Sequence, residues 1–184
     1  MTSGPTWRTC SSTSSSEPDT CKPEAPKPRA ALEQATSLGD AVLRAGELSA
    51  RTVIFDVEPL VAHWDGSTED LDEGIARVLR VTTPTVPGVA VVCFSTNSGR
   101  RPSRPPSADM RVTYLASAGK PLRTKAYRGF PRPGVVVGDQ LPTDGILARR
   151  LRYAFIKIDH PVGVPAGPRL MAVVGWLMRP QDAA

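Results

Sequence analysis

Cysteine, histidine and aromatic residues are scarce in this sequence. Among 184 residues there are 3 cysteines (Cys10, Cys21 and Cys93) and 2 histidines, and aromatic residues make up 5%. An odd number of cysteines without metal-binding spacing argues against both a disulfide framework and a cysteine-based metal site. Cys93 lies in an apolar run, which predicts a buried structural thiol. The basic residues lack the interleaved aromatics of a single-strand binding platform, so no nucleic-acid partner is expected, and a nucleic-acid role remains only a third alternative.

The sequence also lacks an apolar run long enough to span a bilayer. The apolar stretch Leu170–Met178 lies between Arg169 and Arg179 and is too short for a transmembrane helix. Residues 168–178 could pack against a sheet, or could lie at a membrane interface with Trp176 and the arginines as anchors. The N-terminus lacks the apolar stretch of a signal peptide. A cytoplasmic location is therefore expected, with peripheral membrane contact as an alternative.

Positive charge exceeds negative charge. The 23 Lys and Arg residues against 18 Asp and Glu residues give a net charge of +5, and the pI is about 9.4. This balance favours anionic partners such as a phosphorylated small molecule or a lipid headgroup. The arginines of Arg100–Arg104 are typical of a solvated loop, but in a chain without room for a cap they could flank a binding crevice and attract such a substrate. A hydrophobic content of 40% and a mean hydropathy of −0.19 are typical of a soluble globular domain.

The composition divides the chain into four segments. Residues 1–30 are rich in serine, proline and charge, and a segment of this kind cannot bury enough apolar surface to offset the entropy of ordering it, which predicts a disordered tail. Residues 31–50 carry apolar side chains at helical spacing and predict a leading helix. Residues 51–160 form the main domain. Residues 161–184 are a C-terminal extension, predicted to be a packed or interfacial helix.

Short apolar runs alternate with helical patterns through the main domain. Buried strands are predicted at Thr52–Phe55, Val89–Phe94 and Val135–Val137, and further strands at Val112–Leu115 and Ala154–Ile158. Ser67 is a predicted N-cap for one helix, and a second helix is predicted to start near Thr143. This alternation predicts an α/β fold with a parallel sheet and helices on both faces. The carboxyl ends of all the strands then lie at one edge of the sheet.

Polar residues follow three of the predicted strands. Asp56, Ser95 and Asp139 each come at or just after the end of an apolar run, and in open α/β sheets the binding crevice lies at that edge. Two carboxylates meeting there would repel each other unless a cation lay between them. Magnesium suits this arrangement, because it takes oxygen ligands from one or two carboxylates and from substrate phosphate. A magnesium site for a phosphate ester is the resulting prediction.

Four short stretches carry a resemblance to a known family. They are Val53–Leu60 (VIFDVEPL), Cys93–Asn97 (CFSTN), Ala118–Pro121 (AGKP) and Val137–Asp144 (VGDQLPTD). In this order, and on these elements, they resemble the motifs of the haloacid dehalogenase superfamily of phosphohydrolases, over roughly residues 51–159. The Lys-Pro, Gly-Asp-Gln and Thr-Asp patterns are most similar to class IIIA, which has little or no cap domain. Within that class the chain resembles the phosphatidylglycerophosphate phosphatase branch.

The resemblance implies a three-layer, doubly wound parallel sheet with a minimal cap and a magnesium-dependent phosphomonoesterase. Asp56 would be the nucleophile that forms an aspartyl-phosphate, Glu58 the general acid and base, and Lys120 the cation that neutralises the phosphoryl group. The phosphate ligands implied are Ser95, Thr96 and Lys120. The magnesium ligands implied are Asp56, Glu58, Asp139 and Asp144. The substrate would be a phosphorylated small molecule or a lipid phosphate such as phosphatidylglycerophosphate.

The sequence departs from the family at the acid/base position. The phosphatases of the family carry an aspartate two residues after the nucleophile, and here that residue is Glu58, followed by Pro59 and Leu60. The extra methylene moves the carboxyl by roughly an ångström, and a displacement of that size can cost about a hundredfold in rate. The alternative function is therefore a catalytically weak phosphate- or lipid-binding module with the same fold.

Overall fold

The computed structural model describes residues 32–106 and 110–159. Within these ranges the chain forms one six-stranded sheet with helices on both sides. The predicted tail over residues 1–30 and the predicted extension over residues 161–184, including the apolar stretch, lie outside the described residues. Among the residues described, no helix combines the length and the apolar composition needed to cross a membrane.

All the strands of the sheet are parallel. They are β1 (Leu32–Ala35), β2 (Thr52–Asp56), β3 (Val91–Ser95), β4 (Arg111–Leu115), β5 (Gly134–Gly138) and β6 (Ala154–Ile158). Their order across the sheet is β1-β6-β5-β2-β3-β4. Every residue of β2, β3 and β5 is buried, whereas β4 and β1 form the edges and are partly exposed. Continuous β-branched runs form the central strands because helices cover both of their faces.

The chain reverses direction across the sheet at β2. From β2 it moves outward through β3 to β4, and it then returns to β5 on the other side of β2. The connections on the two sides of β2 therefore diverge at its carboxyl end. This is the topological switch point at which open α/β sheets leave a crevice for ligands.

Two apolar layers cover the sheet. Helices α1 (Leu38–Glu47) and α2 (Thr68–Thr85) pack on one face, where Phe55 and Phe94 stack with ring centroids 5.9 Å apart. Helix α3 (Ile146–Leu151) packs on the other face. Cys93 is fully buried in this second layer, as predicted, and burial raises the pKa of its thiol to about 12. The predicted α/β parallel sheet with flanking helices is confirmed.

Helix α2 begins where its sequence signal lies. The Ser67 hydroxyl accepts a hydrogen bond from the Asp70 amide at 3.1 Å, and the Asp70 carboxylate accepts one from the Ser67 amide at 2.7 Å. This reciprocal capping box satisfies amide groups that have no partner within the helix. The start of α2 in turn fixes where the preceding loop, residues 57–67, must end.

The leading helix predicted over residues 31–50 is shorter than expected. The helix covers only Leu38–Glu47, and Leu32–Ala35 form the edge strand β1, which pairs with β6. The backbone partners of β1 come from a strand that lies far along the sequence. A helical spacing of apolar residues cannot reveal such a pairing, because long-range contacts override local propensity. The helix expected near Thr143 begins with one wide π-helical turn at Leu141–Gly145 before α3.

Candidate functional site

The strand ends bring the predicted site residues to one edge of the sheet. Asp56 is the last residue of β2 and Ser95 the last residue of β3, and the two are paired in register. Asp139 follows directly after β5, which pairs with β2 on its other side. The backbone amide of Val57 donates to the Ser95 carbonyl at 3.2 Å, so the carboxyl ends of β2 and β3 stay hydrogen-bonded one residue beyond β2.

Lys120 lies between two of the aspartates. Its ammonium group is 2.7 Å from the Asp56 Oδ1 and 2.8 Å from the Asp144 Oδ1. Lys120 is 7% exposed and Asp144 is fully buried, so solvent screens these ion pairs little. Loop 116–133, between β4 and β5, delivers the lysine, and the π-helical turn after β5 delivers Asp144. Elements that are distant in the sequence therefore converge on Asp56.

Two local features hold these side chains in place. The side-chain amide of Asn97 donates to the Lys120 carbonyl at 3.0 Å, and its oxygen accepts from the Lys120 amide at 2.9 Å. Gly138 allows Asp144 to lie against β5, since a Cβ at position 138 would come within 2.5 Å of the Asp144 carboxyl carbon. The lysine backbone and the buried carboxylate are thus both fixed by close contacts.

The carboxylates carry more charge than the lysine can neutralise. Burial, and then the charge of Asp144, raise the pKa of Asp56 well above its usual value, although Lys120 opposes this. Burial, and then Asp144, also raise the pKa of Asp139 to about 6. Burial lowers the pKa of Lys120, but the negative charges of Asp144 and Asp56 raise it by more than burial lowers it. The pKa is therefore above its usual value, and the ammonium stays charged. Three carboxylates around one ammonium leave an excess of negative charge.

A bound metal ion would offset this excess of negative charge. Asp56, Asp139 and Asp144 each offer a carboxylate oxygen, and these oxygens lie within 4.8 Å of one another. The Asp139 Oδ1 is buried and has no hydrogen-bond partner among the described residues. A buried carboxylate oxygen without a donor is costly, and a cation would satisfy it. All the donors are hard oxygens, which suits a divalent cation such as magnesium, calcium or manganese.

Glu58 does not belong to this trio of aspartates. It is 2% exposed, and it accepts hydrogen bonds from the Thr96 hydroxyl at 2.5 Å and the Ser98 hydroxyl at 2.9 Å. The Arg100 Nη1 lies 3.6 Å from its Oε1. The grouped carboxylate oxygens are those of Asp56, Asp139 and Asp144, whereas the Glu58 oxygens contact the segment that follows β3, so Glu58 as a fourth metal ligand stays a prediction.

The predicted phosphate ligands differ in their placement. Thr96 and Lys120 line a cavity of about 250 Å³ that also reaches Asp56, Glu58 and Trp64. Ser95 does not line it. Its hydroxyl is buried and makes no hydrogen bond among the described residues, as is also true of the Tyr127 hydroxyl. The hydroxyl that reaches the cavity is that of the next residue, Thr96, which lies just beyond the end of β3.

Several residues of the cavity wall were not assigned a role from the sequence. They are Asn97, Ser98, Gln140 and Thr143. Asn97 and Ser98 follow a residue that the motifs had already marked, so their proximity in sequence was the available signal. Their actual hydrogen-bond partners, Lys120 and Glu58, could not be inferred from proximity alone.

A wider groove lies away from the carboxylates. It has a volume of about 760 Å³ and runs between α2 and residues 103–106. Its charged groups are of both signs, and Asp72 is already bonded to the Ser103 amide and hydroxyl. Size alone does not favour this groove as the functional site, since the clustered carboxylates and the buried lysine lie at the smaller cavity.

Comparison of this chain with protein-family models, with curated proteins and with solved structures finds no match.

Proposed function

We propose that this chain is a magnesium-dependent phosphomonoester hydrolase of the haloacid dehalogenase type, acting through an aspartyl-phosphate on Asp56. The observation that carries the proposal is the position of Lys120 between Asp56 and Asp144, with Asp139 beside them, at the switch point of a parallel sheet. The order of the four sequence motifs supports it. A carboxylate beside a buried cation, open to a cavity, suits attack on a phosphoryl group whose charge the cation stabilises.

Asp56 supplies the nucleophile in the first half-reaction. One of its carboxylate oxygens forms a bond to phosphorus while the bond from phosphorus to the leaving oxygen breaks, and the leaving oxygen takes a proton. Lys120 holds positive charge next to the transferring group. Electrostatic contributions of this kind are worth a few kcal/mol, on the order of a hundredfold in rate or more. Lys120 also orients the Asp56 carboxylate through their 2.7 Å contact.

Glu58 is the proposed proton carrier. It lines the same cavity as Asp56 and Lys120, so its carboxyl can give a proton to the leaving oxygen. In the second half-reaction water attacks phosphorus, the bond from phosphorus to Asp56 breaks, and Glu58 takes the proton that the water loses. Free phosphate and the original carboxylate result. The hydrogen bonds from Thr96 and Ser98 set the orientation of Glu58 for both steps.

Magnesium is the proposed cofactor. Asp56, Asp139 and Asp144 would hold it, and it would supply further positive charge to the phosphoryl oxygens. Manganese and calcium also take oxygen ligands, so substitution among these ions is the direct way to identify the cation.

The segments around the cavity are consistent with a minimal cap. Residues 57–67, between β2 and α2, and residues 116–133, between β4 and β5, contain no additional folded layer in the described part of the chain. The cavity of about 250 Å³ accepts the phosphate-bearing end of a substrate. A small phosphate monoester, or the terminal phosphate of a lipid such as phosphatidylglycerophosphate with its chains outside, is the proposed substrate class.

One observation favours the second candidate, a catalytically weak phosphate- or lipid-binding module. Both oxygens of Glu58 already accept hydrogen bonds from hydroxyl groups, and Arg100 lies beside them. A carboxylate held in this way has less freedom to turn towards a leaving group. Under this alternative the same cavity binds phosphate through Lys120 and the cation without rapid turnover.

Phosphate release from a generic aryl phosphate separates the two candidates. The parent is assayed with magnesium and with excess chelator, beside Asp56→Asn and the matched control Asp65→Asn, whose side chain is 85% exposed. The hydrolase predicts magnesium-dependent release that vanishes in Asp56→Asn and persists in Asp65→Asn. An inactive parent that gains activity on Glu58→Asp supports the binding module. Equal release by the parent and Asp56→Asn rejects covalent catalysis by this residue.

A further inference from the structure

We propose that Arg100 is a positioning residue that clamps loop 57–67 against the cavity and thereby holds Glu58 in place. The loop leaves the sheet at Asp56 and carries two residues of the cavity wall, Glu58 and Trp64. The inference rests on the proposed function for its kinetic consequence only. The clamp itself is a structural statement that can be tested without any substrate.

The Arg100 guanidinium spans the far end of the loop. Its Nη1 donates to the His63 carbonyl at 2.6 Å, and its Nη2 donates to the Gly66 carbonyl at 2.8 Å and the Ser67 carbonyl at 3.0 Å. A guanidinium presents several N–H donors in a rigid plane, so one side chain can hold several carbonyls at once. Arg100 thus closes the end of the loop where α2 begins.

The same guanidinium lies against the near end of the loop. Its Nη1 is 3.6 Å from the Glu58 Oε1, and the Arg100 side chain is 20% exposed against 2% for Glu58. The charge of Arg100 therefore faces a buried carboxylate with little screening. Arg100 joins the two ends of one loop, and the reactive carboxyl lies at one of them.

Arg100 is itself anchored to the sheet. Its backbone carbonyl accepts a hydrogen bond from the Tyr114 hydroxyl on β4 at 3.1 Å. Its amide lies 3.3 Å from the Ser98 hydroxyl, which donates to Glu58. Arg100 therefore links the carboxyl ends of β3 and β4 to loop 57–67. The attraction of an anionic substrate by the Arg100–Arg104 loop stays a separate prediction, while the Arg100 donors in this structure bond to the loop carbonyls.

The middle of loop 57–67 is held by contacts that do not involve Arg100, so the effect of losing Arg100 can be measured separately. The Arg77 Nη2 donates to the Val61 carbonyl at 3.2 Å, and Val61 also packs against Gly74 of α2. Loss of Arg100 should therefore release the segment from His63 to Ser67 and the Glu58 side chain, while Val61 stays in place. Arg101 is exposed and adjacent, and it serves as the matched control.

Amide hydrogen exchange of loop 57–67 tests the clamp directly. In Arg100→Ala we expect exchange of the hydrogen-bonded Gly66 and Ser67 amides to rise about tenfold or more, with no change in Arg101→Ala and an intermediate rise in Arg100→Lys, which keeps the charge but not the planar fork. Thermal unfolding of each variant checks that the fold is retained. Exchange that is unchanged in a folded Arg100→Ala overturns the clamp, whatever the activity.

A double-mutant cycle tests the action through Glu58. Arg100→Ala should lower kcat about tenfold with little change in KM, and the same substitution in a Glu58→Gln background should cost less than about twofold. Equal losses in both backgrounds overturn the action through Glu58. Faster exchange in Arg100→Ala together with an inactive parent supports the clamp and counts against the proposed hydrolase, so the two failures are distinguishable.

Discussion

At the scale of single residues, the buried carboxyl of Asp56 lowers the stability of the folded protein. This carboxyl is buried beside Asp144, and within residues 32–106 and 110–159 only Lys120 offers it a compensating charge. A folded protein tolerates such an arrangement when the groups serve binding or reaction, and the cost is carried by the rest of the fold. The raised pKa of Asp56 means that the ionised carboxyl is less favourable in the folded chain than in the unfolded one.

Asp56→Asn should stabilise the metal-free protein. An acid whose pKa is raised on folding contributes to the stability of the folded protein below its unfolded pKa, and this contribution is lost as the pH rises through its folded pKa. At pH 7.5 the parent protein has lost the contribution of the Asp56 carboxyl. The neutral amide of Asp56→Asn does not ionise, so the variant has no such loss. We expect the free energy of unfolding in urea with excess chelator to rise by on the order of 1–2 kcal/mol. A lower free energy of unfolding would show that the pairing of Asp56 with Lys120 outweighs the repulsion from Asp144.

At the scale of elements, the packing of loop 57–67 on α2 depends on the absence of a side chain. A Cβ at Gly74 would lie 2.1 Å from the Val61 carbonyl oxygen, which belongs to the loop backbone and cannot turn away. The helix therefore keeps a residue of low helical propensity in its interior. Close packing of the loop outweighs the gain of roughly 1 kcal/mol that alanine offers in a helix.

Alanine at two helical glycines should have opposite effects. Gly74→Ala is expected to lower the free energy of unfolding by about 1–3 kcal/mol, because overpacking forces the loop away from α2. Gly39→Ala, in α1, meets nothing closer than the Ser37 Oγ at 3.8 Å and should be neutral or stabilising by up to about 1 kcal/mol. Urea unfolding of both variants provides the comparison. Similar stabilisation by both would mean that the loop is free to move off the helix.

At the scale of the whole molecule, the sheet order brings distant carboxylates together. Asp56 follows β2, Asp139 follows β5, and Asp144 lies in the turn beyond, and these strands are neighbours only because the chain returns across β2. A cation bound by all three aspartates would bind the folded chain and not the unfolded one. Its binding free energy then adds to the stability of the entire sheet.

Magnesium should therefore raise the thermal midpoint, and the effect should depend on pH. Because the pKa of Asp139 is about 6, its carboxyl is ionised at pH 7.5 and largely protonated at pH 5, where a proton competes with the cation. At a magnesium concentration about a hundred times the dissociation constant, stabilisation of about 2.7 kcal/mol is expected at pH 7.5, with clearly less at pH 5. Asp139→Asn should lose most of the magnesium-dependent rise in the thermal midpoint. A shift that is equal at both pH values, or unaltered in Asp139→Asn, would exclude Asp139 as a ligand.

The part of this protein that its sequence determined by itself is local. Continuous apolar runs with a polar residue at or just after their end predicted β2, β3 and β5, and Ser67 predicted the start of α2, because strand burial and helix capping depend on adjacent residues. The alternation of these elements was sufficient for the parallel α/β sheet. It also placed Asp56, Ser95 and Asp139 at one edge of that sheet.

Tertiary structure alone decided which side chains meet at that edge. The strand β1, the burial of the Ser95 hydroxyl and the contacts of Arg100 with loop 57–67 have no local signature. The motifs implied that Lys120 and Asp144 belong to the same site as Asp56, but not that the lysine lies between the two carboxylates. Each joins residues that are distant in sequence, or depends on which way a side chain turns once packing has filled the alternatives. Hydrophobic spacing encodes neither of these, since it reports only which face of an element is buried.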